Sequence, residues 1–204
     1  MNEITCISPI DGKVFATRNT LSLKDAKDEI QRLRAAQSAW SARPLSERIS
    51  LVMAGVEAIG KMNDQIVPEL AKMMGRPVRY GGEFGGFQER AQYMSDIAAD
   101  ALKDIEISDD SSFKRYIKRV PHGIVFVIAP WNYPYMTAIN TIAPALIAGN
   151  VVALKHASQT LLAGERLVEA FRSAGVPQDV FVNLFLDHDR SEEHTSELQS
   201  PMYL

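Results

Sequence analysis

The sequence predicts an α/β protein: an N-terminal layer of helices followed by the first half of a doubly wound parallel sheet, cut short. Three observations carry this reading. Ile124 to Ala129 is a continuous apolar run of the kind that is buried on both faces of a parallel sheet. Val151 to Leu154 and Phe181 to Leu186 are two more short apolar runs. Between them lie two segments with helical periodicity, and strand, helix, strand, helix, strand with short loops is one mononucleotide-binding half of such a sheet.

The first hundred residues read as helical. Ser22, with Asp25 three positions on, resembles a capping box that opens a helix to about Trp40. A second helix begins after Pro44, where Leu45, Ile49, Val52, Val56, Ile59 and Met62 recur as one apolar stripe. A third runs from about Asp64 to Met74 and stops at Gly75, with Pro77 beyond. A longer amphipathic helix is expected from Glu83 to about Lys103. The Gly81-Gly82-Glu83-Phe84-Gly85-Gly86 cluster has no strand before it and no Lys-Ser/Thr after it, so it reads as a helix-start turn rather than a phosphate loop.

Residues Ser108 to Ser112 read as a loop, and Phe113 to Val120 as an exposed strand. A helix from about Tyr135 to Ala148 closes at Gly149-Asn150. Ser158 or Thr160 opens the next helix, which Gly175 and Pro177 end. The final stretch, residues 190–204, has no apolar periodicity and resembles a translated sequencing-library adapter; it is set aside as a non-native tail.

Composition narrows the function classes. With 22 basic against 25 acidic residues the net charge is -3, which sets up no global field for nucleic acid or anionic membrane. The basic run Lys114 to Arg119 reads as the solvated face of a strand, so no nucleic-acid partner is expected. The most apolar stretch, Ile139 to Leu154, is interrupted by Asn140, Pro144, Gly149 and Asn150, and no membrane anchor is expected. One cysteine, Cys6, excludes an internal disulfide; a reduced, cytoplasmic setting fits, and the opening residues carry no leader pattern. His122, His156 and His188 show no metal-ligand spacing and read as loop residues, so no metal is expected.

Two segments reach the carboxyl edge of the expected sheet, where ligands bind in this architecture. In Pro130-Trp131-Asn132-Tyr133-Pro134, two prolines fix the backbone around a ring and an amide. That rigidity suits an oxyanion donor, and equally a plain turn. In Lys155-His156-Ala157-Ser158, a cation and a hydroxyl stand at a helix N-terminus, a combination suited to a phosphorylated ribose. Seen alone, a lysine ending a strand is more often a solvated surface charge.

Together these segments resemble the aldehyde dehydrogenase superfamily. The resemblance rests on Val125 to Pro134, on Pro144 to Lys155 and on Ala174-Gly175-Val176-Pro177. Upstream it takes in Arg43 to Arg48 and Met74-Gly75-Arg76-Pro77, and it covers nearly all of residues 1–189, read as the N-terminal part of a Rossmann-like NAD(P)-binding domain. It implies that Asn132 donates to an oxyanion, that Trp131 lines the cofactor cleft, and that Lys155 contacts the adenosine ribose. Ser158 stands where NAD-preferring members often carry Glu, which makes NADP as well as NAD an expected cofactor. His156 replaces the usual Pro, a variant associated with the succinate-semialdehyde type.

The resemblance further implies a small-molecule aldehyde as substrate, a homo-oligomeric parent and an oligomerisation-type strand near 113–120. The family's Cys nucleophile and Glu base are expected beyond Asp189, so the chain as written is expected to be an inactive fragment, and Cys6 an incidental thiol. Two alternatives are a non-catalytic nucleotide-binding or scaffolding module of the same fold, and a reductase acting on acyl phosphates, against which the Pro-Trp-Asn-Tyr-Pro segment argues.

Overall fold

The computed structural model describes residues 3–109 and 113–186. The tail at 190–204 and His188 lie outside the described residues.

The chain opens on a hairpin, not a helix. Strand β1 (Glu3–Ile7) pairs antiparallel with β2 (Val14–Asn19), with Thr5 opposite Thr17. The signals were there to read: Ile4, Thr5, Ile7 and Val14, Phe15, Thr17 flank an Asp11-Gly12 turn, in which Gly12 takes a φ of 70°. The helical reading of the first hundred residues therefore fails for this segment and holds from Leu23 onward.

Helix α1 (Leu23–Ser41) starts as expected: the Ser22 side chain accepts from the Asp25 amide at 3.1 Å. Helix α2 (Leu45–Lys61) follows Pro44 and buries Val52, Val56 and Ile59 of the expected stripe. Helix α3 (Asn63–Met74) ends at Gly75, whose φ of 76° is the left-handed cap. A short 3-10 turn (Val78–Tyr80) leads into α4 (Phe84–Ala101), so the glycine cluster is a helix-start turn.

The expected exposed strand is present as β4 (Lys114–Ile117), all four residues exposed. Its partner was missed. Strand β3 (Ile105–Asp109) pairs with it antiparallel, so Ser108 and Asp109 belong to a strand rather than a loop. The serine and aspartates mask the alternation of Ile105 and Ile107 that marks a half-exposed strand.

The parallel sheet is as expected. Strand β5 (Ile124–Ala129), helix α5 (Pro134–Ile147), strand β6 (Val151–His156), helix α6 (Leu161–Ser173) and strand β7 (Phe181–Asn183) follow in order, and the sheet runs β5-β6-β7, both pairs parallel. Every residue of β6 is buried, so both faces are covered, by α5 and α6 from the crossovers and by α1, which packs along β6 and β5. The third strand is shorter than the expected Phe181 to Leu186, although the Leu184 amide still donates to the Leu154 carbonyl at 2.7 Å.

Strand β7 is the outer strand on its side of the sheet, and the residues just beyond it are held by other contacts. The Leu21 amide donates to the Phe185 carbonyl at 2.9 Å, and Leu184 and Leu186 are buried. At the opposite edge of the sheet, Ile128 of β5 is 57% exposed.

Two side chains tie the helical layer to the sheet domain. The Trp40 indole donates to the Leu146 carbonyl at 3.0 Å. Arg48, on α2 and buried, donates to the carbonyls of Ile147 at 2.8 Å, Ser41 at 3.0 Å and Arg43. One guanidinium thereby satisfies carbonyls at the C-terminal ends of α1 and α5, where the helix dipole is negative. Burial lowers its pKa from the usual arginine value.

Candidate active site at the carboxyl edge of the sheet

Register decides what this edge brings together. Ile128 of β5 is the partner of Lys155 of β6, and Ala129 the partner of His156. The strands are parallel, so the turn 130–133 after β5 and the turn 157–160 after β6 leave the sheet side by side. Each runs into the N-terminus of a helix, α5 and α6 respectively, where the helix dipole is positive.

In the first turn, Trp131 is 55% exposed and Tyr133 46%, large rings held at the surface by a rigid backbone. The Asn132 Oδ1 accepts from the Tyr133 amide at 3.1 Å, which leaves the Asn132 amide nitrogen as the group available to donate. Asn132 and Tyr133 line a cleft of about 500 Å³ together with Met74, Gly75, Arg76 and Tyr80. The cleft brings Asn132 together with the α3 cap. Trp131, Lys155 and Ser158 are not among its walls.

In the second turn, Lys155 is 5% exposed. This overturns the view of a lone lysine at a strand end as a solvated charge. Ser158 is half-buried and opens a 3-10 turn (Ser158–Thr160), with α6 starting only at Leu161. Thr160 stands at the N-cap of α6, as expected, but its side chain makes no capping bond.

The Thr160 hydroxyl is engaged elsewhere, and this corrects the reading of His156 as a loop residue. His156 ends β6, is buried, and its ring bridges the two turns: Nε2 lies 3.2 Å from the Pro134 carbonyl and Nδ1 3.2 Å from the Thr160 hydroxyl. A carbonyl only accepts, so Nε2 carries the proton and Nδ1 accepts from Thr160. Burial pushes the ring's pKa down to about 4, which keeps it neutral.

A further residue is built into the first turn and was not anticipated. Glu83, one residue before α4 and buried, accepts through Oε2 from the amides of Tyr135 at 3.1 Å and Met136 at 2.7 Å. Its Oε1 accepts from Arg76 Nη1 at 3.0 Å. Burial raises the carboxyl pKa, and the Met136 amide, Arg76 and the Tyr135 amide oppose that rise. Nothing in the local sequence flags Glu83, because the two amides it holds lie more than fifty residues away.

Cys6 is buried, its thiol donates to the Gln159 carbonyl at 3.0 Å, and burial raises its pKa. A thiol so held is a poor nucleophile. Among the described residues no group of three or more His, Cys, Asp or Glu could hold a metal ion. No described helix is long and apolar enough to cross a membrane. A second hollow, of about 490 Å³, lies beside α6 and β7, and the charges on its walls are largely paired with one another or with neighbours: Glu165 with Arg18, Arg166 with Glu169 and Glu69.

Comparison with known sequences settles the family. The profile described as the aldehyde dehydrogenase family matches residues 1–197, nearly the whole chain and a few residues into the segment set aside as a tail. The chain belongs to the aldehyde dehydrogenase family. Among curated relatives, a D-glyceraldehyde dehydrogenase (NADP(+)) of Picrophilus torridus is 33% identical over 174 residues, covering 85% of this chain and 35% of that protein. A vanillin dehydrogenase of Corynebacterium glutamicum is 30% identical, covering 86% of this chain and 37% of its own length. The chain thus spans little more than a third of these aldehyde dehydrogenases.

Solved structures agree. The NADP-dependent glyceraldehyde-3-phosphate dehydrogenase from Bacillus halodurans, complexed with NADP, superposes with a TM-score of 0.85 at 28% identity, over 95% of this chain and 42% of that one. An NAD-dependent benzaldehyde dehydrogenase from Corynebacterium glutamicum gives 0.82 at 27% identity, over 95% and 42%. The Rossmann-like fold expected from the sequence is the fold of this aldehyde dehydrogenase segment.

Proposed function

We propose that this chain is the N-terminal portion of the cofactor-binding domain of an NAD(P)-dependent aldehyde dehydrogenase, an enzyme that oxidises an aldehyde to a carboxylic acid. The observation that supports it most is the pairing of two turns at one sheet edge: a rigid turn presenting the Asn132 amide, and a second turn with Lys155 buried at its mouth.

The residues fit a dinucleotide. The N-terminus of α6 and the Lys155 ammonium supply positive potential, and the Ser158 hydroxyl supplies a hydrogen-bonding group beside them. In this reading Lys155 and Ser158 bind the adenosine ribose, Ser158 admits a 2′-phosphate, and Trp131 lines the cofactor cleft. When bound, NAD or NADP supplies the hydride acceptor. The Asn132 amide donates to the oxyanion that forms when a nucleophile adds to the aldehyde carbonyl. Its position is fixed before the charge develops, which is what makes such a donor effective.

The nucleophile is not Cys6, whose thiol is buried and donates to the Gln159 carbonyl. The 204-residue chain alone therefore turns over no aldehyde. The deciding experiment is to assay the chain and the full-length enzyme that contains it for aldehyde-dependent reduction of NAD and NADP. Turnover by the full-length enzyme and none by the chain is expected. Activity of the chain that thiol alkylation abolishes, or a full-length enzyme inert toward a panel of aldehydes, overturns the reading.

A further inference from the structure

The turn that carries Asn132 is gripped by a pair of ions that no motif announced. The second and third residues of an α-helix have amides without an intrahelical partner, and a short polar side chain just ahead of the helix normally accepts from them. Helix α5 has no such side chain: its cap position is Tyr133, which makes no side-chain bond, and its first residue is Pro134. The acceptor comes instead from Glu83, whose single oxygen Oε2 takes both the Tyr135 and the Met136 amides.

A bare carboxylate at this place would oppose the chemistry next to it. Negative charge close to a developing oxyanion raises the barrier, and the low dielectric of a buried site magnifies the effect. The Glu83 side chain is 1% exposed, so water does not screen it. Arg76 answers the charge: its guanidinium is 3.0 Å from Glu83 Oε1 and lies 5.5 Å from the centroid of the Tyr133 ring, packed over it. The pair is neutral as a unit. One member holds the amides that follow the turn, and the other holds the ring at position 133, the residue after Asn132.

Contact with α4 is equally tight. A Cβ added to Gly86, in the first turn of α4, would lie 2.6 Å from the Met136 sulfur. Glu83 thus reaches α5 from a helix already pressed against it, so the carboxylate and its two amides move as one body.

We propose that Glu83 and Arg76 are positioning residues for Asn132, holding the 130–136 turn so that the Asn132 amide is aimed before reaction and sees no uncompensated negative charge. The inference rests on the reading of Asn132 as the oxyanion donor. A helix cap that served stability alone would lower the amount of folded enzyme and leave turnover per folded site unchanged.

The test is a double-mutant cycle in the full-length enzyme, with kcat referred to the folded sites counted by cofactor binding. Glu83→Gln keeps the shape and removes the charge. It is expected to lower kcat by about tenfold or more while the KM for cofactor and aldehyde move by less than about threefold, because the loss is of transition-state orientation. In an Asn132→Ala background the same substitution should change kcat by less than about twofold, since residues acting through one another are not additive. An equal loss in both backgrounds, or an unchanged kcat per folded site, overturns the proposal. Should Glu83→Gln not fold, Arg76→Gln carries the same cycle, because Arg76 is the more exposed partner, 19% against 1%. A wild-type enzyme without aldehyde turnover would instead sink the functional reading itself, and this inference with it.

Discussion

The His156 ring spans the gap between the Pro134 carbonyl and the Thr160 hydroxyl, 3.2 Å from each, and so joins the start of α5 to the turn after β6. In the neutral ring Nδ1 accepts from Thr160, and burial disfavours the charged form. Its folded pKa of about 4 lies below the ordinary histidine value of 6.5. Between those two values the unfolded chain binds a proton that the folded one does not, so stability rises with pH in that window. It is fully present above about pH 6.5 and is lost as pH falls toward 4, by up to about 3 kcal/mol. Urea midpoints from pH 7.5 to 4.5 should show this slope, and His156→Gln should flatten it. Parallel curves for the two proteins would mean that the ring does not carry the effect.

Asn132→Ala in the full-length enzyme should lower turnover by roughly 100- to 1000-fold, the scale of removing one oxyanion donor. Cofactor affinity should barely change. Activity within about threefold of the parent would leave Asn132 as a turn residue only.

Ser158→Glu should depress kcat/KM for NADP by about tenfold or more while sparing NAD. A carboxylate about 4 Å from a 2′-phosphate repels it by about 4 kcal/mol at an effective dielectric near 20, before screening. Steady-state kinetics with both cofactors on the parent and the variant decide it. An unchanged ratio of NADP to NAD would mean that position 158 does not face the ribose.

Arg48→Met should lower stability by about 2–4 kcal/mol, because it strands the carbonyls of Ser41, Arg43 and Ile147 in a buried place. Arg48→Lys should recover only part of the loss, since an ammonium cannot reach three acceptors held in the plane of a guanidinium. Thermal melts of both variants provide the measurement; a lysine variant as stable as the parent would show that charge alone is at work.

Most of the fold was legible in the sequence, for reasons that differ by element. The parallel strands declared themselves because burial on both faces leaves an unbroken apolar run, as in Ile124 to Ala129. Helices with local caps, such as Ser22 for α1 and Gly75 for α3, were bounded within a few residues. The two hairpins were missed or half-missed because their strands are exposed on one side and short, so alternation competes with solvent-facing Ser, Thr and Asp.

The site was legible only where its chemistry is local. Asn132 and Lys155 stand in contiguous segments, and the register of β5 with β6 brings those segments to one edge. Arg76 stood in the Met74-Gly75-Arg76-Pro77 segment, but its pairing with Glu83 depends on α4 docking against α5, a relation that no spacing along the chain records. His156 was visible as an unusual residue, but its burial and its two partners belong to the tertiary structure.

The guanidinium of Arg48 has a consequence for how the chain can change in length. Three carbonyls converge on it, two of them from the short passage between α1 and α2, so an extra residue at 41–44 would pull at least one acceptor out of reach. The β1–β2 turn stands under no such constraint: a Cβ added to Gly12 meets nothing within 4 Å, and the turn lies in open solvent. Over evolutionary time insertions should collect at residues 9–12 and be purged from 41–44, although both are surface connections of about the same size. Sequence drift in this segment is then governed by where side chains anchor the backbone, and loops that look alike on paper are unequal in their freedom to grow.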